Sequence, residues 1–512
     1  MAQVLQTVEF HNFGEAPLSS LLGIEPPPFA RIKDPLRQLC YVEGYVKALK
    51  CAAVAVEGHY IDRDHIEDHS AFYSRNFVSY ENSCRRLHFF SLDPAAVKKA
   101  FAEVLELCGR DGGAYRRACE ELSERAYLGS SVIKPLPGCP VGRTILRCYP
   151  AQGDKCLRLF PCVRRHRAHL SGVELTVSGL PFQQQDTGVS ACATTAIWSA
   201  LHHLRGVEEV APATPAQITT LAARHSLPFG RSMPSEGLSV EQMCQAVQGM
   251  GVSPQLYRAA DYRTAQNIIC SATRSGMASI LIIQRAGPPA QRHAVTVAGI
   301  KVAEPFSPAF SAGLAEQSGG LLGAYIHDDR WGPYVSTLLE NQAGQAQLKF
   351  LKRGAIQEEE VWQLSHILIP MHVKIRLSFT GLQRAGIEVV KQVKWFFIQN
   401  LRLPAPNVVL GGSILRGYQY VEDLLFEEGG LGSNVVEDFS CAVSLPRYVG
   451  RIRVESPLIG TIDVLVDTTG TLRNLHCSAV ICRKPTAQHA AAVGGFLAKH
   501  FGAFPRAFGV AG

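Results

Sequence analysis

Three side chains in this sequence have the types that thiol-based acyl transfer requires, and each stands at the edge of its own local pattern. Cys192 follows the polar stretch Gln183-Gln184-Gln185-Asp186-Thr187-Gly188-Val189-Ser190-Ala191 and opens the apolar run Ala193-Thr194-Thr195-Ala196-Ile197-Trp198. A helix starting there offers unpaired backbone N–H groups and the positive end of its dipole, and both stabilise a thiolate. His293 heads the alternating stretch Ala294-Val295-Thr296-Val297-Ala298-Gly299, which predicts a strand. Asp328 follows Tyr325-Ile326-His327, a second predicted strand, and runs through Asp329-Arg330-Trp331 into the turn at Gly332-Pro333. A thiol needs an imidazole to take its proton, and the imidazole needs an acceptor on its other nitrogen to fix tautomer and orientation. Histidine and acid on adjacent strands, with the cysteine on a facing helix, meet these needs. A glutamine shortly before the cysteine would supply one N–H of an oxyanion hole, and the backbone N–H of Cys192 the other.

The order of these motifs resembles the papain-like cysteine peptidase superfamily, most closely the bacterial branch that processes double-glycine leader peptides and its stand-alone relatives. In that branch the motifs read Gln…Cys-Gly-x-x-x-Leu, then Gly-His-Ala-Val-Val-Val-x-Gly, then an Asp at a strand end followed by a Gly. The resemblance implies Cys192 as nucleophile, His293 as general base and acid, and Asp328 as the residue that orients the histidine. Asp329 competes for that last role, and Asp328 is preferred because it directly follows the strand. Three positions depart from the pattern. Ala193 stands where Gly usually follows the cysteine, and Arg292 where Gly usually precedes the histidine. Gln185 lies one residue farther from the cysteine than usual, with Asp186 in the usual place. Gln185 is the first choice for the oxyanion donor and Gln184 the second.

The activity so implied is hydrolysis of a peptide or isopeptide bond in a protein or peptide substrate, through an acyl-enzyme and without cofactor or metal. The branch is commonly fused to a membrane transporter; none is recognisable here, so the leader substrate does not come with the motifs. With an amine as acceptor the same chemistry would make an acyltransferase or cross-linking enzyme. Ala193 and Arg292 are the best support for a third reading, a non-catalytic interaction module.

Other reactive clusters carry less. His65 and His69 are spaced for one helix face, but Glu67 is misplaced for a His-Glu-x-x-His zinc motif. Cys139, Cys148, Cys156, Cys162, His166 and His169 are zinc-compatible types without a Cys-x-x-Cys pair. Gly411-Gly412 and Gly429-Gly430-Leu431-Gly432 lack the lysine of a phosphate-binding loop, and His476–Ile481 reads as core. The long connection 301–323 between the histidine and aspartate strands is rich in Gly, Ser, Ala and Pro, and is expected to act as a lid or substrate clamp.

The elements that must position these residues fall in three regions. Residues 1–165 are expected to form a mixed α/β region. It contains an extended Pro26-Pro27-Pro28 arm, a strand pair or helix over 41–56, a helix over 62–80, and helices over 94–107 (capped by Asp93) and 115–127. Residues 175–345 hold the papain-like domain. Its helices begin at Cys192, at Pro215 after Thr214, at Val240 after Ser239, and at Tyr262; strands follow over 279–283, 294–300 and 324–327. Helices first and strands afterwards indicate α+β, with the cysteine helix packed on an antiparallel sheet. Residues 346–512 are expected to form a C-terminal α+β region, with strands over 373–379, 450–455 and 462–467, a hairpin at 467–470, and helices over 385–399 and 488–501. The flanking regions are read as surfaces for a protein partner or substrate.

Bulk properties set the frame. A chain of 512 residues exceeds one ordinary core, and its 46% hydrophobic and 19% charged residues are those of a globular protein. A net charge of +7 argues against dedicated nucleic-acid binding, and the basic run Arg164, Arg165, Arg167 with His166 and His169 reads as a solvated loop. No secretory signal or membrane-length apolar run is present, so a cytosolic setting with no membrane contact is expected. Most of the fifteen cysteines are accordingly expected to be reduced and buried.

Overall fold

Helices and antiparallel sheets alternate along the chain in the mixed α+β manner expected. The computed structural model describes all residues except 1–7, 25–35, 137, 154, 187, 189–190, 205–209, 211–212, 225–236, 286–290, 352–358, 427–436, 438, 440–442, 470–476, 484–486, 503–506 and 509–512. The Pro26–Pro28 arm, Gly429–Gly432, His476 and the turn at Gly470 lie outside the described residues.

The first region is a five-stranded antiparallel meander of Val8–Asn12, Ala53–Tyr60, Cys84–Phe90, Tyr127–Ile133 and Val141–Leu146. Helices Arg37–Ala48, Pro94–Leu107 and Gly112–Ala126 accompany it. The stretch 41–56, ambiguous by periodicity, holds both a helix end and a strand start. Asp93 caps the second helix, accepting from Ala96 N at 2.9 Å. The basic run is no loop: Arg164–Leu170 is a strand paired with Val173–Gly179, and it turns Ala168 and Leu170 inward.

The central sheet closes on itself. Ile280–Arg285, Gln291–Ala303, Leu321–Asp328, Gly332–Gln342, Gln345–Phe350 and Glu360–Met371 pair antiparallel in a ring, because Ile280–Arg285 bonds both Gln291–Ala303 and Glu360–Met371. The expected sheet is therefore a six-stranded barrel. Its last strand lies beyond residue 345, so the boundary expected there cuts through the barrel. From His293 to Val302 the histidine strand is buried throughout, since one face turns into the barrel and the other is covered. Part of that cover is the cysteine helix, Cys192–Leu204, whose Ala196 carbonyl accepts from Thr296 Oγ1 at 2.9 Å. The helices after Thr214 and Ser239 both begin with a capping box.

The connection expected to be a lid belongs elsewhere. The histidine strand runs away from His293 for ten residues, about 30 Å at strand rise, before this connection begins. The aspartate strand then returns antiparallel, so the connection lies at the barrel end opposite the site. It is also tied down: Leu314–Glu316 pairs parallel with Val408–Arg416. The Glu316 carboxylate accepts from Arg263 at 3.1 Å and Gln383 at 2.9 Å. Leu314–Glu316 thereby edges the third sheet, which continues through Val408–Arg416, Tyr448–Ser456, Gly460–Asp467, Cys477–Cys482 and Ala507–Phe508. Helices Phe379–Phe396 and Ala490–His500 pack on that sheet, while the expected strand over 373–379 is irregular. The described cysteines form no disulfide. No helix among the described residues is long and apolar enough to cross a membrane.

Candidate active site

Cys192 is the first residue of its helix and the one partly exposed residue in it; all the others, Ala193 to Leu204, are buried. The helix is held from behind by the Thr296 bond and by Ser199 Oγ, which donates to the Pro181 carbonyl at 2.9 Å. This leaves the sulfur at the rim of an immobilised scaffold. The strand register Thr296↔His327 sets the end of the aspartate strand beside the start of the histidine strand. His293 Nε2 lies 2.9 Å from Asp328 Oδ1, and the Cys192 side chain is near enough to favour the protonated ring. All three residues singled out from the sequence are thus brought together.

Asp328 is held from the other side by the residue two places on. Arg330 donates to it from its backbone N at 2.9 Å, from Nε at 3.2 Å and from Nη2 at 2.8 Å. Arg330 Nη1 reaches Glu360 at 3.0 Å, and Glu360 accepts from Trp362 Nε1 at 2.9 Å. The guanidinium lies 4.7 Å over the Trp362 ring, which stands 6.1 Å from the His293 ring. Burial alone would neutralise Asp328, but Arg330 and His293 outweigh it and hold the carboxyl well below its usual range. For His293, burial opposes the charged form. The carboxylates of Asp328 and Asp329 overcome it and raise the imidazole to about 10.

Asp329 is the unusual member. Its Oδ1 is 3.4 Å from His293 Nε2, yet neither carboxylate oxygen has a hydrogen-bond partner among the described residues. Burial, with Asp328 adjacent, raises its carboxyl to about 6. Among the described residues, His293, Asp328 and Asp329 form the only group of three His, Cys, Asp or Glu side chains spaced for a metal ion. Arg330 saturates Asp328, however, which makes it a poor ligand. The cysteine and histidine set from Cys139 to His169 is not gathered. His65 and His69 turn their Nε2 atoms to the carbonyls of Glu81 and Tyr80, each at 3.0 Å.

The glutamines are reordered. Gln185 is exposed. Gln184 is consumed in scaffolding: Oε1 accepts from Val141 N at 3.2 Å and Nε2 donates to the Gly138 carbonyl at 3.1 Å. Gln183 is buried, and its Nε2 has no acceptor among the described residues. An orphaned buried donor is costly unless something at the site uses it. Spacing from the cysteine put Gln185 first and Gln184 second, and it could not register which of the three side chains is buried. Arg330 stood in plain view two residues after Asp328, whereas Glu360 and Trp362 come from a strand whose closure of the barrel no local pattern announces.

Neither the scan against protein-family models nor the search of curated proteins produced a match to this chain.

Proposed function

We propose that the chain is a papain-like cysteine peptidase or isopeptidase acting on a protein or peptide substrate. The observation that carries this reading is the buried His293 bridging Cys192 and Asp328 at the mouth of a closed barrel. The Cys192 thiol gives its proton to His293, the sulfur attacks the substrate carbonyl, and the carbonyl π electrons move onto oxygen. Gln183 Nε2 and the Cys192 backbone N–H receive that oxyanion, in place of Gln185. His293, which favours its protonated form between two carboxylates, delivers a proton to the leaving amine as the C–N bond breaks. Water then attacks the thioester as its proton passes to His293, the C–S bond breaks to release the acid product, and His293 returns the proton to the Cys192 sulfur. Arg330 keeps Asp328 ionised and fixed, so the ring cannot rotate away from the sulfur.

An electrophilic activity probe on the native protein, with the labelled residue located by mass spectrometry, tests the proposal. Labelling should fall on Cys192 and disappear in Cys192→Ala and His293→Ala. Labelling that survives the cysteine substitution would sink it.

A further inference from the structure

Arg292, a departure from the peptidase pattern, is given a place by the strand register. Alternate side chains of Gln291–Ala303 share a face. On one face Thr296 donates to the cysteine helix at the Ala196 carbonyl, and Ala294 packs in one core with Ala193 and Ile197 of that helix. Arg292 is the next residue on this face, and it is exposed. Helix and strand run the same way: His203, near the helix end, lies against the Cys162 carbonyl, and Gly299 of the strand against Phe160. Arg292 therefore projects at the Cys192 end.

The face continues across the sheet. His366 pairs with both Arg258 and Ile282, and Ile282 pairs with Ala294. Directly paired residues point the same way, so these four form a row, and Arg292 stands just past its end. Arg258 is exposed and His366 half-buried. Glu241, exposed in the first turn of the helix Val240–Gly249, is close enough to act on both His366 and Arg292. Partial burial, with Arg258 and Arg292, holds the His366 imidazole below its usual range against the pull of Glu241. The charges around this ring are thus two guanidiniums and one carboxylate. Among the described residues, neither guanidinium is held in an ion pair.

We infer that Arg292 is a specificity-determining residue, and that the row beside it selects peptides carrying an acidic side chain close to the scissile bond. The inference rests on the peptidase reading and names its substrate class. Any chain bound across Cys192 and His293 passes Arg292, the neighbour of His293. A guanidinium fork holds a carboxylate through two N–H groups. Arg258 lies three strand spacings from Ala294, about 14 Å, which an extended peptide covers in about four residues. Arg292 thus reads a side chain beside the bond, and Arg258 one about four residues away.

A chymotryptic peptide library, incubated with the native protein and with Cys192→Ala and sequenced by mass spectrometry, tests this. Cuts that depend on Cys192 should carry Asp or Glu within about four residues roughly 5-fold more often than the library, the scale of an exposed ion pair. Arg292→Gln should remove the enrichment beside the bond, and Arg258→Gln only the more distant one. Arg292→Glu should favour Lys and Arg beside the bond instead, a gain that misfolding cannot produce. Cys192-dependent cuts without acidic enrichment, or an enrichment that survives Arg292→Gln, would overturn the inference and leave the peptidase reading standing. A library with no Cys192-dependent cut would remove that reading and the inference with it.

Discussion

Replacing His293 by Gln removes one titrating group while keeping a neutral side chain of hydrogen-bonding capacity beside Asp328. The magnitude follows from the ring's raised affinity for its proton, which goes from 6.5 to about 10 on folding. That interval of about 3.5 pH units, at about 1.4 kcal/mol each, corresponds to about 5 kcal/mol of stability. The folded-state value lies above the unfolded one. The contribution is therefore complete below pH 6.5 and is lost as pH rises through about 10. Linkage then sets the pH-dependent advantage of the native protein over His293→Gln. It is about 3 kcal/mol at pH 8, falls to about half that at pH 9 and is below about 1 kcal/mol at pH 10. Asp329, raised to about 6, has finished titrating in the native protein before this window opens. Buried thiols such as Cys84 and Cys162, pushed up to about 12, act alike in both proteins and cancel in the difference. Urea unfolding followed by tryptophan fluorescence at the three pH values measures the gap. A gap that stays constant from pH 8 to pH 10 would refute the ion-pair account of the site.

Gln183→Ala should lower turnover of a cleaved peptide amide by about 10²–10³-fold while the iodoacetamide rate at Cys192 stays within about two-fold; Gln185→Ala should change neither. The reverse pattern would return the oxyanion role to Gln185. Arg330→Met strips Asp328 and Glu360 of their shared cation, and a loss of about 3 kcal/mol or more in urea midpoint experiments is expected. A Cβ at Gly332 would fall 2.3 Å from Tyr41 Cδ1, so Gly332→Ala should cost about 1–3 kcal/mol, read as a lowered melting temperature. A fragment spanning 175–345 lacks the barrel's closing strand and should give no cooperative melting transition; a sharp one would show that the barrel does not need it.

Local patterns made the chemistry legible, and closure of the chain did not. Cys192, His293 and Asp328 each sit where periodicity changes, so three short windows were enough to find them. The helices at Pro94, Pro215 and Val240 were equally plain, because Asp93, Thr214 and Ser239 each offer a side-chain cap at the first turn. The barrel was not legible, because Glu360–Met371 bonds Ile280–Arg285 across some eighty residues and pairing at that separation leaves no trace in composition. The same ignorance of strand direction produced the lid reading. A long Gly- and Pro-rich connection between two site-bearing strands looks functional until antiparallel pairing places it at the opposite end. The glutamines differ in ways spacing does not show: Gln184 spends both ends on the backbone, Gln185 is exposed, and Gln183 keeps a buried donor without an acceptor among the described residues.

The turn from Asp328 to Gly332 ties the first region to the barrel. Within five residues it draws on the first region, the histidine strand and the strand that closes the barrel. Asp328 answers to His293 in the central region, and Arg330 to Glu360 and Trp362 on the strand that closes the barrel. The backbone carbonyl of Asp329 accepts from Gln38 Nε2 at 2.9 Å, Trp331 lies 4.6 Å beneath the Arg37 guanidinium, and Gly332 is backed by Tyr41. The loop before Cys192 is similarly braced: Asp186 lies 3.9 Å from Lys134 of the first region and caps Gly188 N at 3.0 Å. A buried cluster of one imidazole and two carboxylates is costly to assemble, and it persists only where its surroundings leave it no freedom to rearrange. Here that constraint comes from the first region and from the barrel strands together. Substitutions at Gln38, Lys134 or Glu360 are therefore expected to displace His293 or the segment before Cys192.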